Sequence, residues 1–120
     1  GGEIKVQELG NTQEDEFVKE IHSVIMENLD DDTFGIEDVC NAVAVSRTQL
    51  HRKLKALTGK STSIFIRDIR LVEAKKLLKT TQQTVSEIAY SVGFNDPNYF
   101  TKLYSEKFSY SPTKEREMVS

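Results

Sequence analysis

The chain of 120 residues has one cysteine, two prolines and no tryptophan. A lone Cys40 cannot close an internal disulfide, which fits a reducing compartment and sets the expectation of a cytoplasmic protein. No apolar run is long enough to cross a membrane, and no stretch resembles a signal peptide, so no membrane contact is expected. The two-residue alternation of half-buried strands is missing, which leaves an all-α class. The histidines, His22 and His51, fall on different predicted helices without a second Cys or His nearby, so no metal site is expected. There is no glycine-rich phosphate loop, no paired-carboxylate site and no activated nucleophile. These gaps point away from an enzyme and from any cofactor. Gly1-Gly2 stands in place of an initiator methionine, and the chain reads as a fragment with residues 1–11 as a linker or tail.

Charge is present but segregated. The net value is −3. Residues 1–43 hold twelve Asp/Glu against two Lys, whereas residues 44–120 hold seven Asp/Glu against fourteen Lys/Arg. An acidic front and a basic back are the asymmetry expected when one side of a domain meets phosphates.

Periodicity predicts about seven helices. The first starts at Thr12, spaced from Asp15 like a capping box, and carries a stripe of Phe17, Ile21, Val24, Ile25 and Leu29. Asp30-Asp31-Asp32 ends it. The second covers Ile36 to Val43 behind Gly35, a cap without a side-chain oxygen. The third follows Ser46, with Gln49 at the reciprocal capping position, and stops at Gly59. It turns Leu50, Leu54 and Leu57 inward and Arg47, Thr48, His51, Arg52 and Lys55 outward. The fourth runs from Ser61 or Thr62 to about Lys79, with an apolar face of Ile64, Phe65, Ile69, Val72, Ala74, Leu77 and Leu78. Its nineteen or so residues make a rod of roughly 28 Å. The fifth spans Val85 to Val92 behind a capping box of Thr84 and Glu87. The sixth opens at Asp96 with Pro97 in the first turn, where a missing N–H is harmless. It faces Phe100, Leu103 and Tyr104 inward and Asn98, Thr101, Lys102 and Ser105 outward. Ser111-Pro112 starts the last, which ends near Met118. Aromatics Phe94, Tyr99, Phe100, Tyr104 and Phe108 read as core, and Cys40 as a buried small residue between helices.

One pattern occurs twice. Val39 to Ser46 leads into Arg47–Leu54, and Ile88 to Asp96 leads into Pro97–Tyr104. Each copy is a short apolar helix, a tight turn and a second helix with a polar, basic outer face. That is the shape of a helix-turn-helix. Two in tandem, joined by the long rod, suit adjacent major-groove segments, which lie about 34 Å apart on one side of B-DNA.

The sequence resembles the AraC-family DNA-binding domain over about residues 34–116. The residues that carry the resemblance are Ser46–Lys55, Thr58–Ser61, Ile69-Arg70-Leu71, Ala74 and Leu77-Leu78. The run Val85–Phe100, with Lys107-Phe108 and Ser111-Pro112, is the most diagnostic. The resemblance departs at Cys40, where alanine is usual, at Ser109, where glycine is usual, and at Ser105, where a basic residue is common. It implies a sequence-specific transcription regulator bound to double-stranded DNA. In the order of the chain, residues 12–60 form a first helix-turn-helix subdomain, 61–79 the connecting helix and 80–120 a second subdomain. The Arg52–Gly59 run and the acidic leading helix resemble the output domain of a hybrid two-component activator. That implies upstream sensor, kinase and receiver domains on the same chain, contact with RNA polymerase, and a homodimer in the full-length protein.

Under this resemblance Thr48, His51 and Arg52 address base edges in the first copy, and Asn98, Thr101 and Lys102 do so in the second. Arg52 suits guanine O6 and N7, and Asn98 suits adenine N6 and N7. Thr48 offers a methyl to thymine or a hydroxyl to a base edge. Arg47 and Lys55 lie nearer the phosphates, joined by Pro97, whose ring can also touch a sugar or thymine methyl. Arg70 either braces the two halves by hydrogen bonds or reaches a phosphate. The rival reading is a helical protein-interaction module that contacts RNA polymerase or a receiver through its acidic face without reading DNA.

Overall fold

A computed structural model describes residues 13–119. Seven helices and no strand are present among them: α1 (Gln13–Glu27), α2 (Ile36–Val43), α3 (Arg47–Thr58), α4 (Thr62–Thr80), α5 (Val85–Ser91), α6 (Pro97–Phe108) and α7 (Pro112–Val119). The predicted cap at Thr12 lies outside the described residues.

Local chemistry sets the ends of the elements. Ser46 Oγ accepts from Gln49 N while the Gln49 side chain accepts from Ser46 N, so two of the donors at the start of α3 are satisfied. Thr84 and Glu87 do the same for α5. Gly35 has no side chain to offer, but Asp38 Oδ2 accepts from Gly35 N at 2.9 Å and supplies half of the box. Helices α3 and α6 each have twelve residues and end on a left-handed residue, Gly59 at φ +77° and Ser109 at φ +71°. The usual glycine before the Ser-Pro element thus has a steric cause: Ser109 occupies a backbone region that a Cβ disfavours.

Packing divides into two clusters strung along α4. Ile21, Ile25, Val39, Cys40, Leu50, Leu54, Ile66 and Ile69 form the first. Leu71, Ala74, Leu78, Ile88, Ala89, Val92, Phe94, Phe100, Leu103 and Tyr104 form the second. Leu29 packs against both. Each fully buried Leu or Ile removes apolar surface worth about 1.5–3 kcal/mol, so both halves have real cores. Phe94, Phe100, Tyr104 and Phe108 stack in a tilted series with centroids 4.6–5.7 Å apart.

Three inward assignments from periodicity are corrected. Leu57, Val72 and Tyr99 are exposed, because no neighbouring helix covers their side of α3, α4 or α6 strongly enough to enclose them. On α4 the apolar face is wider than the predicted set, since both sides of the rod are packed. Ile66 and Leu71 are buried, and so are Thr62 and Arg70.

Polar groups tie the two halves together. Arg70 Nη1 donates to the carbonyl oxygens of Leu29 and Val92, and Nη2 donates to those of Asp31 and Phe34, at 3.1 and 3.2 Å. Val92 belongs to the second half and the other three to the loop after α1. Gly93 (φ +92°) makes room for this: a Cβ there would sit 1.4 Å from Arg70 Nη1. On another side of α4, Asp68 pairs with Lys60 at 2.7 Å and with Lys107 of α6 at 3.4 Å. Burial raises the Asp68 carboxyl, but the hydrogen bond from Lys60 and the Lys107 charge hold it below the usual carboxylate value.

The end of the chain is held by Glu115, which is 1% exposed. Its Oε1 accepts from Lys75 Nζ (2.6 Å), Tyr104 OH (2.6 Å) and Tyr110 OH (3.0 Å). Arg116 donates to the carbonyls of Leu78, Thr81 and Gln83, capping the end of α4.

Candidate nucleic-acid interface

The cap at Ser46 sets the rotation of α3, because Leu50 and Leu54 must both enter the first core. The opposite side of the helix is then forced outward. Arg47, Thr48, His51, Arg52 and Lys55 are all exposed and together line a groove of about 770 Å³ that continues onto Ile36 and the start of α4. The structure therefore brings the five predicted residues of the first copy together on one surface. His51 and Arg52 sit one turn along from Thr48, with Lys55 a turn further, as the i, i+3 and i+4 spacing demands.

The second copy repeats the arrangement with a different cap. Asp96 Oδ1 accepts from Asn98 N at 2.9 Å, and Pro97 fills the first helical position. Phe100 and Tyr104 point into the second core, matching Leu50 and Leu54. Asn98 and Lys102 are exposed, and Thr101 is half-buried on the same side of α6.

The four residues assigned to phosphate fare differently. Lys55 is exposed in the last turn of α3. Arg47 pairs with Glu37 at 3.1 Å, yet both side chains are about two-thirds exposed (64% and 66%). Such a surface pair is worth about 0–1 kcal/mol, so a phosphate can displace the carboxylate at little cost. Pro97 is half-buried and has no N–H, which limits it to van der Waals contact. Arg70 is corrected: it is 5% exposed and both terminal nitrogens of its guanidinium are taken up by carbonyl oxygens, so the fork that would grip a phosphate is occupied. Of the two roles open to it, the structure selects the brace.

The acidic front meets this basic surface at the Arg47–Glu37 pair. Glu14, Glu16, Glu20 and Glu27 are exposed on α1, and Asp30, Asp31 and Asp32 follow in the exposed loop. Asp31 is held below its usual value by the hydrogen bonds it accepts from the Thr33 hydroxyl and N–H. Cys40 lies 5% exposed in the first core, and burial pushes its thiol up, away from the reactive thiolate. Among the described residues no cluster of His, Cys, Asp and Glu could hold a metal ion, and no helix is long and apolar enough to cross a membrane.

Periodicity missed the Glu115 network. The only available signal was one of two acidic residues, Glu115 and Glu117, in a short helix, and such residues ordinarily face solvent.

Comparison with known proteins agrees with this geometry. Residues 39–118 match a family described as a helix-turn-helix domain. The chain is 33% identical over 107 residues to histidine kinase P4 of Formosa agariphila, covering 89% of this chain and 8% of the kinase. It is 38% identical over 81 residues to the HTH-type transcriptional activator RhaS of an Enterobacter strain, covering 68% of this chain and 29% of the activator. The chain thus spans less than a third of the length of these curated relatives. Among solved structures, it is similar to a Chromobacterium violaceum transcriptional regulator described among AraC-type DNA-binding domain-containing proteins. The TM-score is 0.81 and the identity 27%, over 88% of this chain and 94% of that one. It is also similar to the DNA-binding domain of AdpA, a global transcriptional factor solved with a target DNA. There the TM-score is 0.76 and the identity 25%, over 83% of this chain and 89% of that one.

Proposed function

The chain belongs to the AraC-type helix-turn-helix family of DNA-binding transcription regulators, and from that premise we propose how its two outward helix faces divide the reading of a duplex. Helices α3 and α6 enter successive major-groove segments. Thr48, His51 and Arg52 meet base edges in one segment, and Asn98, Thr101 and Lys102 meet them in the next. Arg47 and Lys55 supply phosphate contacts that fix register and carry salt-sensitive affinity. Pro97 packs on the sugar-phosphate chain. Residues 12–60 and 80–120 act as the two reading subdomains, and 61–79 as the rod between them.

The observation that carries this reading is the groove beside α3, where all five polar residues of the first copy converge outside the core. Structurally, α6 is its twin, with the same length, a matching C-cap and a polar outer side. The braces at Arg70 and Asp68 make the two readers one body, so a straight duplex must bend or the readers must fit it as they stand.

The match to histidine kinase P4 supports a wider role as the output domain of a hybrid two-component activator in the cytoplasm. Sensor and receiver domains would precede it, and RNA polymerase would be its downstream partner. Homodimerisation of the full protein would raise the effective concentration of a second domain at a paired site.

Titration of fluorescent duplexes at several salt concentrations tests the DNA reading. Log K should fall linearly with log salt, by about 0.9 per phosphate contacted. Absence of binding to every duplex, including a random pool, would leave the rival protein-interaction module standing.

A further inference from the structure

The groove beside α3 does not end on the reading helix. It runs onto Ser61, the cap of the nineteen-residue α4, and onto Thr62 and Ser63, its first residues. Ser61 caps that helix by accepting from Ile64 N, and the first intrahelical bond runs from Phe65 N to Ser61 O. Helix geometry therefore leaves the N–H groups of Thr62 and Ser63 without an intrahelical acceptor, at the positive end of a long dipole. Thr62 is 3% exposed, and its Oγ1 has no hydrogen-bond partner among the described residues. A buried hydroxyl left unpaired in a native fold calls for an explanation. Lys55 lines the same groove and adds a positive charge with no acidic residue in the lining.

We infer that the first turn of α4, with the Thr62 hydroxyl and Lys55, is a seat for one backbone phosphodiester of the bound duplex. The inference rests on the DNA-binding reading above. A phosphate oxygen at this end would accept from the N–H groups of Thr62 and Ser63 and from the Thr62 hydroxyl, opposite the Lys55 ammonium. The second copy offers a contrast within the same chain. Counting from the matched caps Ser61 and Ser111, Pro112 replaces Thr62 and has no N–H, Ser105 replaces Lys55, and exposed Glu106 replaces Ala56. That end lacks the N–H, the hydroxyl and the Lys55 charge that the first end offers an anion. The phosphate grip is thus concentrated in the first half.

The test uses this chain with two labelled duplexes, one enriched from a random pool by binding and one of random sequence. Thr62→Pro removes the N–H and the hydroxyl at a position where Pro112 shows that proline is tolerated. It should weaken binding to both duplexes about tenfold, as loss of hydrogen bonds to a charged group requires, while Thr62→Ser should bind like the parent. In the unsubstituted chain, the amide proton resonances of Thr62 and Ser63 should move on adding the random duplex. Binding with both amides unmoved, or with Thr62→Pro folded and as tight as the parent, would overturn the phosphate seat and leave the DNA reading intact. No binding to either duplex would overturn both.

Discussion

Single side chains on α3 divide by the kind of contact each can make. Arg52 carries a flat, five-donor fork on an exposed helix face, whereas Lys55 carries a flexible point charge one turn nearer the helix end. Arg52→Ala should therefore cost about 1–3 kcal/mol on the enriched duplex and little on a random one, flattening base preference at one position. Lys55→Ala should weaken both duplexes alike. Polarisation titrations of the two variants against both duplexes check this, and an equal loss for Arg52→Ala would reassign that residue to phosphate. Those exposed positions were legible from spacing alone, because a core on one side of a helix forces the other side out. Arg70 was not. An arginine between two halves can serve either a carbonyl cage or a phosphate, and only the position of Gly93 and of the carbonyls around it chooses.

Among the helices, α7 depends on a charge rather than on apolar area. Its Glu115 is enclosed by Lys75 of α4, Tyr104 of α6 and Tyr110 of the preceding turn. Burial raises its carboxyl, but hydrogen bonds from Lys75, Tyr104 and Tyr110 outweigh burial and hold it below its ordinary value of 4.5. A carboxyl depressed on folding contributes stability that is complete above 4.5 and drains away as pH falls through its folded value. Glu115→Gln should cost about 3 kcal/mol at neutral pH, since it strands the Lys75 ammonium among buried partners. It should also flatten the fall in Tm between neutral and strongly acidic pH. Melting curves of both proteins across that range decide the matter, and parallel acid losses would sink the assignment. The Lys75 ammonium is raised above its usual value by its hydrogen bonds to Glu115 and then Tyr110, so the alkaline limb should lie higher in the parent protein than in Glu115→Gln.

At the scale of the assembled fold, the described residues measure 40 × 38 × 22 Å, long enough to span neighbouring groove segments about 34 Å apart. Its stiffness comes from α4 and from two cross-ties, Arg70 on one side and the Asp68–Lys107 pair on another. A duplex with its two contacted blocks moved onto opposite faces by five inserted base pairs should bind roughly a hundredfold more weakly, since only one reader can engage at a time. Arg70→Met, assayed where it remains folded, should bind the parent duplex less tightly and lose less on the insertion, because its halves can reorient. Equal penalties for both proteins would show that the brace does not couple the readers.

Caps, turn residues and apolar spacing act over a few neighbours, so helix ends, the repeated motif and the outward polar faces could be read from the amino acids in order. Ser46 with Gln49, Thr84 with Glu87, and Asp96 with Pro97 all lie where local rules put them. What those rules could not reach were contacts between groups far apart in the chain: the carbonyl cage around Arg70, reaching 41 positions to Leu29, and the enclosure of Glu115 by Lys75, 40 positions away, and Tyr104, 11 away. Their partners become neighbours only when both cores pack along α4, and that same packing leaves Leu57, Val72 and Tyr99 outside. Charge burial is a property of assembled surroundings, and no periodicity in a single helix encodes it.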